Sequence, residues 1–420
     1  MPLTHRVLIA ALAIATASPA IPVLAQSGAA QCAPDNAGLT LPAGFCAQIV
    51  ADSVGNPRHV VVAPNGDVYV ALRRAAAGSG VMALRDTNGD GVADERHTFG
   101  VGAGSGIALA NGVLYFATDT SVVRWRLAPG ALVPTGEPEV VVSGLARGRA
   151  HSAKTIAIAN DGALFVNIGA PSNSCQSRDR QSKVPGMDPC TLLDTAGGIW
   201  RFSTGRTGQR QSDGERWATG LRNVVAITLG PDGATPWGAQ HGRDMLSANW
   251  GFDEAYNAEN PGEELFRITQ GSDFGWPTCY WSTALKKKVL APEYGGDGTE
   301  VGRCADVGQP LVTFPGHWAP NAMLFYGGAQ FPERYRGGIF VAFHGSWNRA
   351  PLPQAGFNVV FVPMANGAPS GPYEVFADGF RDDERRPHRP SGLAVAPDGS
   401  LVVTDDTRGR VYRISYTGGR

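Results

Sequence analysis

The chain has 420 residues, a formal net charge of -1 and 17% charged residues. This balance argues against nucleic-acid binding, which normally requires a basic surface and a high pI, and it favours a small polar ligand. The 55 glycines and 30 prolines occur together with 43% hydrophobic residues. That combination indicates an all-β protein with many turns instead of a disordered chain.

The N-terminus has the features of a secretory signal peptide. His5 and Arg6 precede an apolar run over residues 7–15, and small residues lead up to Gln26. The run is too short and too rich in alanine to favour a membrane span. We therefore predict a signal peptide over residues 1–25, a single catalytic domain over residues 26–420, and a periplasmic or secreted protein without a membrane span.

A short phrase recurs along the chain: an apolar strand, a tight turn of Asn or Asp followed by Gly, and a second apolar or aromatic strand. The turns are Asn65-Gly66, Asn111-Gly112, Asp161-Gly162, Asp232-Gly233 and Asp398-Gly399. Glycine at the second position provides the positive φ of a two-residue hairpin turn, so each phrase predicts a β-hairpin. Hairpins repeated at such wide intervals suggest the blades of a β-propeller.

A further strand follows most hairpins, and a degenerate sixth copy lies within residues 322–361. We therefore predict an all-β, six-bladed β-propeller, with five or seven blades as alternatives. Six blades correspond to roughly 65 residues each, more than a blade usually needs, so long loops must be inserted.

The six cysteines of an exported chain indicate a disulfide framework. Sequence alone permits about 15 connectivities. Because blades contact mainly their neighbours, we favour pairing within three sequence-local couples. The favoured pairs are Cys32 with Cys46, Cys175 with Cys190, and Cys279 with Cys304.

Two polar groups stand just ahead of repeat strands, where side chains can point into the central funnel. His151 could act as a general base near neutral pH, or it could simply cap backbone groups in a loop. Arg222 and Asn223 could hold a carboxylate or a quinone oxygen, although taken alone this pair more often indicates a surface salt bridge. Because His151 and Arg222 occupy equivalent positions, each strengthens the functional interpretation of the other.

Two segments have features of calcium sites. The turn at Gly242, Arg243 and Asp244 could offer main-chain carbonyls and a carboxylate to Ca²⁺, or it could be an ordinary loop. The loop from Asp86 to Asp94 has acidic or amide groups at several positions of a calcium loop, but position 12 is His97. A plain polar hairpin is the alternative for this second loop.

Two further clusters place arginines at blade entrances. Arg349 closes the segment His-Gly-Ser-Trp-Asn-Arg, and Arg389 precedes the last repeat. Guanidinium groups around one channel favour an anionic ligand, so we expect His151, Arg222, Arg349 and Arg389 to converge at one mouth. The aromatic rings of Trp276, Trp281 and Trp347 either stack on a sugar there or pack in the interior.

Together these phrases resemble the family of soluble quinoprotein sugar dehydrogenases that use pyrroloquinoline quinone (PQQ), especially its sorbosone-dehydrogenase-type branch. The most specific segments are the Leu-Arg-Asn at residues 221–223 and the His-Gly-Ser-Trp-Asn-Arg at residues 344–349. The other segments are residues 151–169, 173–175, 242–244, 273–277, 317–320, 389–392 and 398–399.

The resemblance implies an oxidoreductase with PQQ and Ca²⁺ that oxidises the C1 hydroxyl, or the hydrated aldehyde, of aldoses or sugar aldehydes. His151 would take the hydroxyl proton while hydride passes to PQQ, with Arg222 and Asn223 at the quinone oxygens. Main-chain oxygens of Gly242 and Arg243 would bind Ca²⁺ beside Asp244. The remaining cofactor-binding residues implied are Asn348, Arg349 and Arg389. Electrons would pass to an external acceptor, a cytochrome or a quinone.

The sequence departs from the glucose-oxidising branch in front of the histidine, where Ala150 stands in place of an expected Asp. Another group must therefore orient the imidazole ring of His151. Two other functions stay open on the sequence: a six-bladed calcium-dependent lactonase or esterase, and a non-catalytic propeller that binds sugars or protein partners.

Overall fold

The computed structural model describes Met1, residues 32–381, Arg385 and residues 387–418. Its six sheets of four or five strands, in which antiparallel pairs predominate, are arranged as the blades of a β-propeller, which confirms the predicted fold. Apart from Met1, the predicted signal peptide lies outside the described residues. Neither of the two short α-helices in the described part has the length or apolar character that a membrane crossing needs.

The first three blades follow each other directly in the chain. Strand β1 (Phe45–Ala51) precedes them. Blade 1 contains β2 (Pro57–Val62), β3 (Val68–Ala76), β4 (Ser79–Arg85) and β5 (Glu95–Phe99). Blade 2 contains β6 (Gly104–Ala110), β7 (Val113–Thr118), β8 (Ser121–Arg126) and β9 (Glu139–Ser143). Blade 3 contains β10 (Ile156–Ile158), β11 (Ala163–Ile168), β12 (Gly198–Ser203) and β14 (Glu215–Thr219). The short β13 (Gln209–Arg210), which precedes β14 in the chain, pairs with β9 of blade 2.

The last three blades carry most of the inserted structure. Blade 4 contains β15 (Ala226–Leu229), β16 (Pro236–Gln240), β17 (Glu263–Arg267) and β21 (Val312–Phe314). Its insertions are α1 (Leu246–Trp250), α2 (Glu254–Glu259) and the hairpin of β19 (Cys279–Ser282) and β20 (Lys287–Leu290). The short β18 (Ser272–Asp273), between β17 and β19 in the chain, pairs with β14 of blade 3. Blade 5 contains β22 (Pro320–Phe325), β23 (Ile339–His344), β24 (Phe357–Val362) and β27 (Glu374–Ala377), with a small hairpin of β25 (Met364–Ala365) and β26 (Ala368–Pro369). Blade 6 contains β28 (Pro390–Val395), β29 (Leu401–Asp405), β30 (Arg410–Tyr416) and β1.

Short 3₁₀ turns connect some of these strands. They are Asn36–Gly38, Thr191–Asp194, Gln211–Asp213, Pro292–Tyr294, Gly302–Asp306 and Glu333–Tyr335.

The ring closes because β1 pairs with β30 as the outermost strand of blade 6. A separate cluster of buried apolar side chains fills each of the six junctions between neighbouring blades. At the junction of blades 4 and 5, for example, Trp237 and Leu265 pack with Val341 and Val360. Removal of this apolar surface from water holds the blades together.

The predicted turns lie where the sequence analysis placed them, between the first and second strands of five blades. In blade 1, Gly66 has a φ of 94°, a conformation that other residues rarely adopt. All three predicted disulfides are present: Cys32–Cys46, Cys175–Cys190 and Cys279–Cys304.

The innermost strands surround a channel of about 960 Å³, lined mainly by apolar side chains. These strands are β2, β6, β10, β15, β22 and β28. They all begin at one face of the ring, and the antiparallel second strands end at that same face. The long connections over residues 169–197, 241–262 and 345–356 therefore also lie on this face. Residues distant in sequence meet there.

Candidate active site

A cavity of about 230 Å³ opens on the face where the innermost strands begin. Its walls come from residues just ahead of β10, β15 and β22, and from the three long connections. The lining residues are Ala150, His151, Arg180, Arg222, His241, Gly242, Asp244, Glu263, His317, Ala319, Trp347 and Asn348. The structure thus brings together the two predicted catalytic residues, His151 and Arg222.

His151 is oriented by a backbone carbonyl. Its Nδ1 atom lies 2.5 Å from the oxygen of Ala170, which follows the end of β11. A carbonyl can only accept, so Nδ1 carries the proton and the lone pair of the neutral ring is on Nε2. No side chain or backbone group in the described residues bonds Nε2. Burial and then the positive charge of Arg222 lower the pKa of His151 well below its ordinary value, so the ring is neutral at pH 7.

Gly169 allows the backbone to pass close to this imidazole. A Cβ atom at this position would lie 2.7 Å from the Cβ of His151 and 2.9 Å from Oδ1 of Asn223. Such distances are shorter than van der Waals contact, so glycine is required for the observed packing. Asn223 is buried behind His151, where its Oδ1 accepts a 3.4 Å hydrogen bond from Asn167.

Arg222 is buried and its guanidinium donates to several groups at once. Nη1 lies 2.7 Å from the carbonyl oxygen of Gly242, and Nη2 lies 3.0 Å from Oδ1 of Asn173 and 3.0 Å from Oδ2 of Asp244. Its backbone N–H bonds Gln240 at the end of β16. The side chain is therefore held in one orientation beside His151.

Asp244 lies at the centre of the charged groups in the cavity. Its Oδ2 accepts from Arg180 and Arg222, each at 3.0 Å, and its Oδ1 accepts from Asn348 at 3.0 Å. Burial raises the pKa of Asp244, but the positive charges of Arg222 and Arg180 outweigh it and bring the pKa below the ordinary range. Asp244 is therefore ionised and shared by two guanidinium groups.

Glu263, at the start of β17, is a second carboxyl group in the wall. Its two oxygens accept backbone N–H bonds from Gly242 at 2.7 Å and from Ala319 at 3.0 Å. Burial nevertheless raises the pKa of Glu263 to about 8. Glu263 thus connects blade 4 to the beginning of blade 5 at the edge of the cavity.

Asn348 and His317 extend the polar wall. Nε2 of His317 donates to the carbonyl of Asn257 at 2.7 Å, so its Nδ1 can accept from Nδ2 of Asn348 at 3.2 Å. Oδ1 of Asn348 is buried and has no hydrogen-bond partner within the described part of the chain. A ligand with a donor group would satisfy this oxygen.

Arg349 and Arg389 do not line the cavity, contrary to the expected convergence. The Arg349 guanidinium donates to the carbonyls of Ala258 and Gly316, both at 2.8 Å. The Arg389 guanidinium donates to the carbonyls of His344 and Gly345 at 2.9 and 2.8 Å. All three arginines lie in segments on this face of the ring, but of the three only Arg222 is among the residues that line the cavity.

Two of the groups predicted to hold calcium, the carbonyl of Gly242 and the carboxylate of Asp244, are already engaged by guanidinium groups. The carbonyl of Gly242 accepts a hydrogen bond from Arg222, and the carboxylate of Asp244 accepts from Arg180, Arg222 and Asn348. The Arg243 side chain turns away to an ion pair with Glu293. In the ranges that the structure describes, no cluster of three or more His, Cys, Asp or Glu side chains is arranged around a metal position. In this arrangement the Gly242 carbonyl and the Asp244 carboxylate are bonded to guanidinium groups and do not fit Ca²⁺.

The second predicted calcium loop is held by its own backbone. The carboxylate of Asp86 accepts N–H bonds from Gly89 and Gly91, each at 2.7 Å. Asp94 accepts from the backbone and hydroxyl of Thr87. These bonds are those of a polar hairpin loop, and calcium binding there stays a prediction.

The three tryptophans have different environments. Trp276 is buried and donates from Nε1 to the carbonyl of Asn173, so it packs behind Arg222. Trp281 lies on β19 and is absent from the cavity lining, whereas Trp347 lines the cavity and is exposed.

Sequence reasoning assigned no role to four polar residues at this site: Asn173, Arg180, Glu263 and His317. Asn173 and His317 lie within segments that carry the resemblance, and that signal could have identified them. Arg180 lies between Cys175 and Cys190, in a connection whose path the sequence does not reveal. Glu263 begins a β-strand, and nothing in its sequence context marks it as a cavity residue.

Comparisons with known proteins agree with this architecture. An uncharacterised protein of Borreliella burgdorferi is 24% identical over 305 residues, which cover 70% of this chain and 65% of that protein. A pyrroloquinoline quinone-dependent pyranose dehydrogenase of Coprinopsis cinerea is 28% identical over 243 residues, which cover 48% of this chain and 31% of that enzyme. The matches thus span less than two thirds of either relative.

Solved structures share the fold. The holo form of the PQQ domain of the Coprinopsis cinerea pyranose dehydrogenase matches with a TM-score of 0.72 at 21% identity, covering 90% of this chain and 97% of that domain. The calcium structure of a Trichoderma reesei enzyme of carbohydrate-active enzymes family AA12 matches with a TM-score of 0.74 at 20% identity, with the same coverage. The sequence profile of the TrAA12-like family matches residues 39–417. The chain therefore belongs to the TrAA12-like family.

Proposed function

We propose that this protein is a PQQ-dependent oxidoreductase that oxidises a hydroxyl-bearing carbon of a sugar. The observation that carries the proposal is the neutral imidazole of His151, fixed by Ala170 with Nε2 unbonded, in the same cavity as the guanidinium of Arg222. A general base beside a fixed cationic donor is the arrangement that proton removal coupled to hydride transfer requires. The name of the Coprinopsis cinerea relative supports the cofactor and the substrate class.

The residues of the cavity fit a polyanionic quinone. Arg180 and Arg222 bring two positive charges, and between them they share the single carboxylate of Asp244. Arg180 keeps 32% of its side chain exposed, so it can bond a carboxylate of the cofactor. The unpartnered Oδ1 of Asn348 offers a buried acceptor. We therefore assign the holding of PQQ to Arg180, Arg222 and Asn348, with PQQ supplying the hydride acceptor when bound.

The side chains of the chain itself handle the proton and the developing charge. Nε2 of His151 accepts the proton of the sugar hydroxyl as a C=O bond forms at that carbon and hydride leaves it. Arg222 stabilises negative charge from a position that Asn173, Gly242 and Asp244 fix in advance, so little reorganisation is needed during the reaction. Asn223 supports His151 through the packing around Gly169.

The finer features of the proposed reaction rest on the resemblance seen in the sequence. They are oxidation at C1 of an aldose or at a hydrated sugar aldehyde, the sorbosone-type branch, and transfer of electrons to an external cytochrome or quinone. Cofactor contacts by Arg349 and Arg389 also stay predictions, because both side chains bond backbone carbonyls. Three disulfides support a periplasmic or secreted location. We assign no step to calcium, since two of its predicted donors, the Gly242 carbonyl and the Asp244 carboxylate, bond Arg222.

Reconstitution tests the proposal directly. Purified protein is mixed with PQQ, and a panel of aldoses and sugar aldehydes is then added with an artificial electron acceptor. We expect dye reduction that depends on both PQQ and sugar, with the absorbance of the bound cofactor changing when sugar is added without dye. Hydrolysis of a lactone or an ester without PQQ, and no dye reduction with any sugar, would refute the proposal and favour the hydrolase alternative.

A further inference from the structure

Trp347 is an exposed aromatic side chain at the edge of the cavity. Its exposed fraction is 69%, and it is the one aromatic residue among the exposed large hydrophobic side chains of the described residues. It lines the cavity together with His151 and Arg222. An indole left in water contributes nothing to the core, and this one stands at the edge of a polar cavity, where a ligand can cover it.

The loop that carries Trp347 is anchored on both sides of the indole. Before it, the backbone N–H of Ser346 donates to the carbonyl of Ala355 at 2.9 Å, and the Ser346 hydroxyl donates to Gln354 at 2.7 Å. After it, Asn348 is tied to Asp244 at 3.0 Å. Ser346 is almost completely buried, so the flanking backbone is fixed while the indole stays in solvent.

Arg349 provides the strongest of these anchors. Its guanidinium reaches the carbonyls of Ala258 and Gly316, and Nη2 lies 2.5 Å from Oε1 of Glu259 at the end of α2. These bonds tie the loop of blade 5 to the helical insertion of blade 4. Arg349 thus holds in place the segment that presents Trp347.

We propose that Trp347 is the surface on which the pyranose ring of the substrate rests. This inference builds on the proposed function, because it takes the substrate to be a sugar. One face of a pyranose carries C–H groups and is apolar enough to pack on a flat indole, while its hydroxyl groups can reach the polar wall of the cavity. A pre-positioned aromatic ring provides this contact area at little cost in conformational entropy.

The surroundings of Trp347 argue against a protein-docking role. Such surfaces are contiguous apolar patches. Here the neighbours in sequence are the buried Ser346 and the polar Asn348, and the cavity beside the indole is lined by charged and polar groups. A single aromatic ring beside hydrogen-bonding groups suits a small polyhydroxylated ligand.

The test compares Trp347→Ala and Trp347→Phe with the wild type. Leu311→Ala is the matched control, since it also removes an exposed apolar side chain but lies outside the cavity lining. With saturating PQQ, we expect Trp347→Ala to raise KM for pyranose substrates by about tenfold, with a smaller change in kcat. Trp347→Phe should restore most of the affinity, and Leu311→Ala should behave as the wild type.

Two binding measurements make the result specific. Titration of the protein with pyranose monosaccharides should change its tryptophan fluorescence, and this change should be lost in Trp347→Phe although the other eight of the nine tryptophans remain. The affinity for PQQ, measured by titration, should be the same in all variants. Unchanged KM and unchanged sugar binding in Trp347→Ala would overturn the inference. A loss of PQQ affinity with unchanged KM for sugar would overturn it in favour of stacking on the cofactor.

Failure of the proposed function is distinguishable from failure of this inference. If the wild type oxidises no sugar with PQQ, the proposed function fails. The fluorescence titration then decides the inference separately: sugar binding that Trp347→Ala removes supports it, and the absence of any sugar-dependent signal refutes it.

Discussion

The imidazole of His151 donates from Nδ1 to the backbone carbonyl of Ala170, two residues beyond the end of β11. A neutral backbone acceptor thus does the orienting that a preceding carboxylate would otherwise do, because Ala150 has no such group. A carbonyl fixes the tautomer without adding negative charge, so it does less than a carboxylate to hold a proton on the ring. The lowered pKa of His151 is consistent with this arrangement.

We expect His151→Ala to lower kcat for dye-linked sugar oxidation by about 100-fold or more, since the proposed general base is removed. The affinity for PQQ, measured by titration of the purified protein, should change little. His97→Ala is a suitable control, because His97 is an exposed histidine on β5 that pairs with Glu95. Wild-type turnover in His151→Ala would remove His151 from the role of base.

The pH dependence of kcat/KM should reflect the lowered pKa of His151. The neutral ring is the active form, and its pKa lies well below 6.5, so kcat/KM should stay level as the pH falls through 6.5 and decline only at lower pH. Arg222 is the second-largest cause of the shift, after burial. Arg222→Gln should therefore move the acid limb to higher pH, whatever its effect on the maximal rate. An acid limb at or above pH 6.5 in the wild type would contradict this prediction.

Gly169→Ala tests whether the site depends on close backbone approach. The added methyl group would lie 2.7 Å from the Cβ of His151, so the imidazole must move. We expect kcat to fall by about 10- to 100-fold, because small displacements of a catalytic group are costly. Gly327→Ala is the control, since a Cβ there meets no atom within 4 Å. Equal activity of the two variants would show that the cavity can relax around the methyl group.

Removal of calcium tests whether the hydrogen bonds from guanidinium groups to Gly242 and Asp244 take the place of a bound calcium ion. Because these oxygens already bond Arg222 and Arg180, we expect chelator-treated protein reconstituted with PQQ alone to be as active as protein reconstituted with PQQ and CaCl₂. The measurement is the rate of dye reduction after dialysis against EGTA. A strict requirement for Ca²⁺ would show that Arg222 releases Gly242 and would support the calcium site predicted from the sequence.

The repeats and the disulfides could be predicted from the sequence because both depend on local patterns. A hairpin turn such as Asn65-Gly66 needs only neighbouring residues, and Cys175 and Cys190 close a short loop on one blade. The segments that lead into the first strands of blades 3 and 4 can be located from the same repeated pattern of strand, turn and strand. For this reason the meeting of His151 and Arg222 was predictable once the number and order of the blades were known.

The directions of the arginines were not predictable. Arg222 and Arg349 both stand in specific segments at blade entrances, yet only Arg222 reaches the cavity. A guanidinium is long and carries several donors, so its direction depends on which carbonyl and carboxylate groups other parts of the chain bring near it.

The sequence by itself determined the blades and the turns between their strands, because these follow from residue type and spacing along the chain. The tertiary structure alone decided that Arg180, Glu263 and His317 join the site and that Arg349 anchors a loop instead. These outcomes depend on distances between the long connections of different blades, and such distances are set only when the ring closes and its six apolar junctions pack.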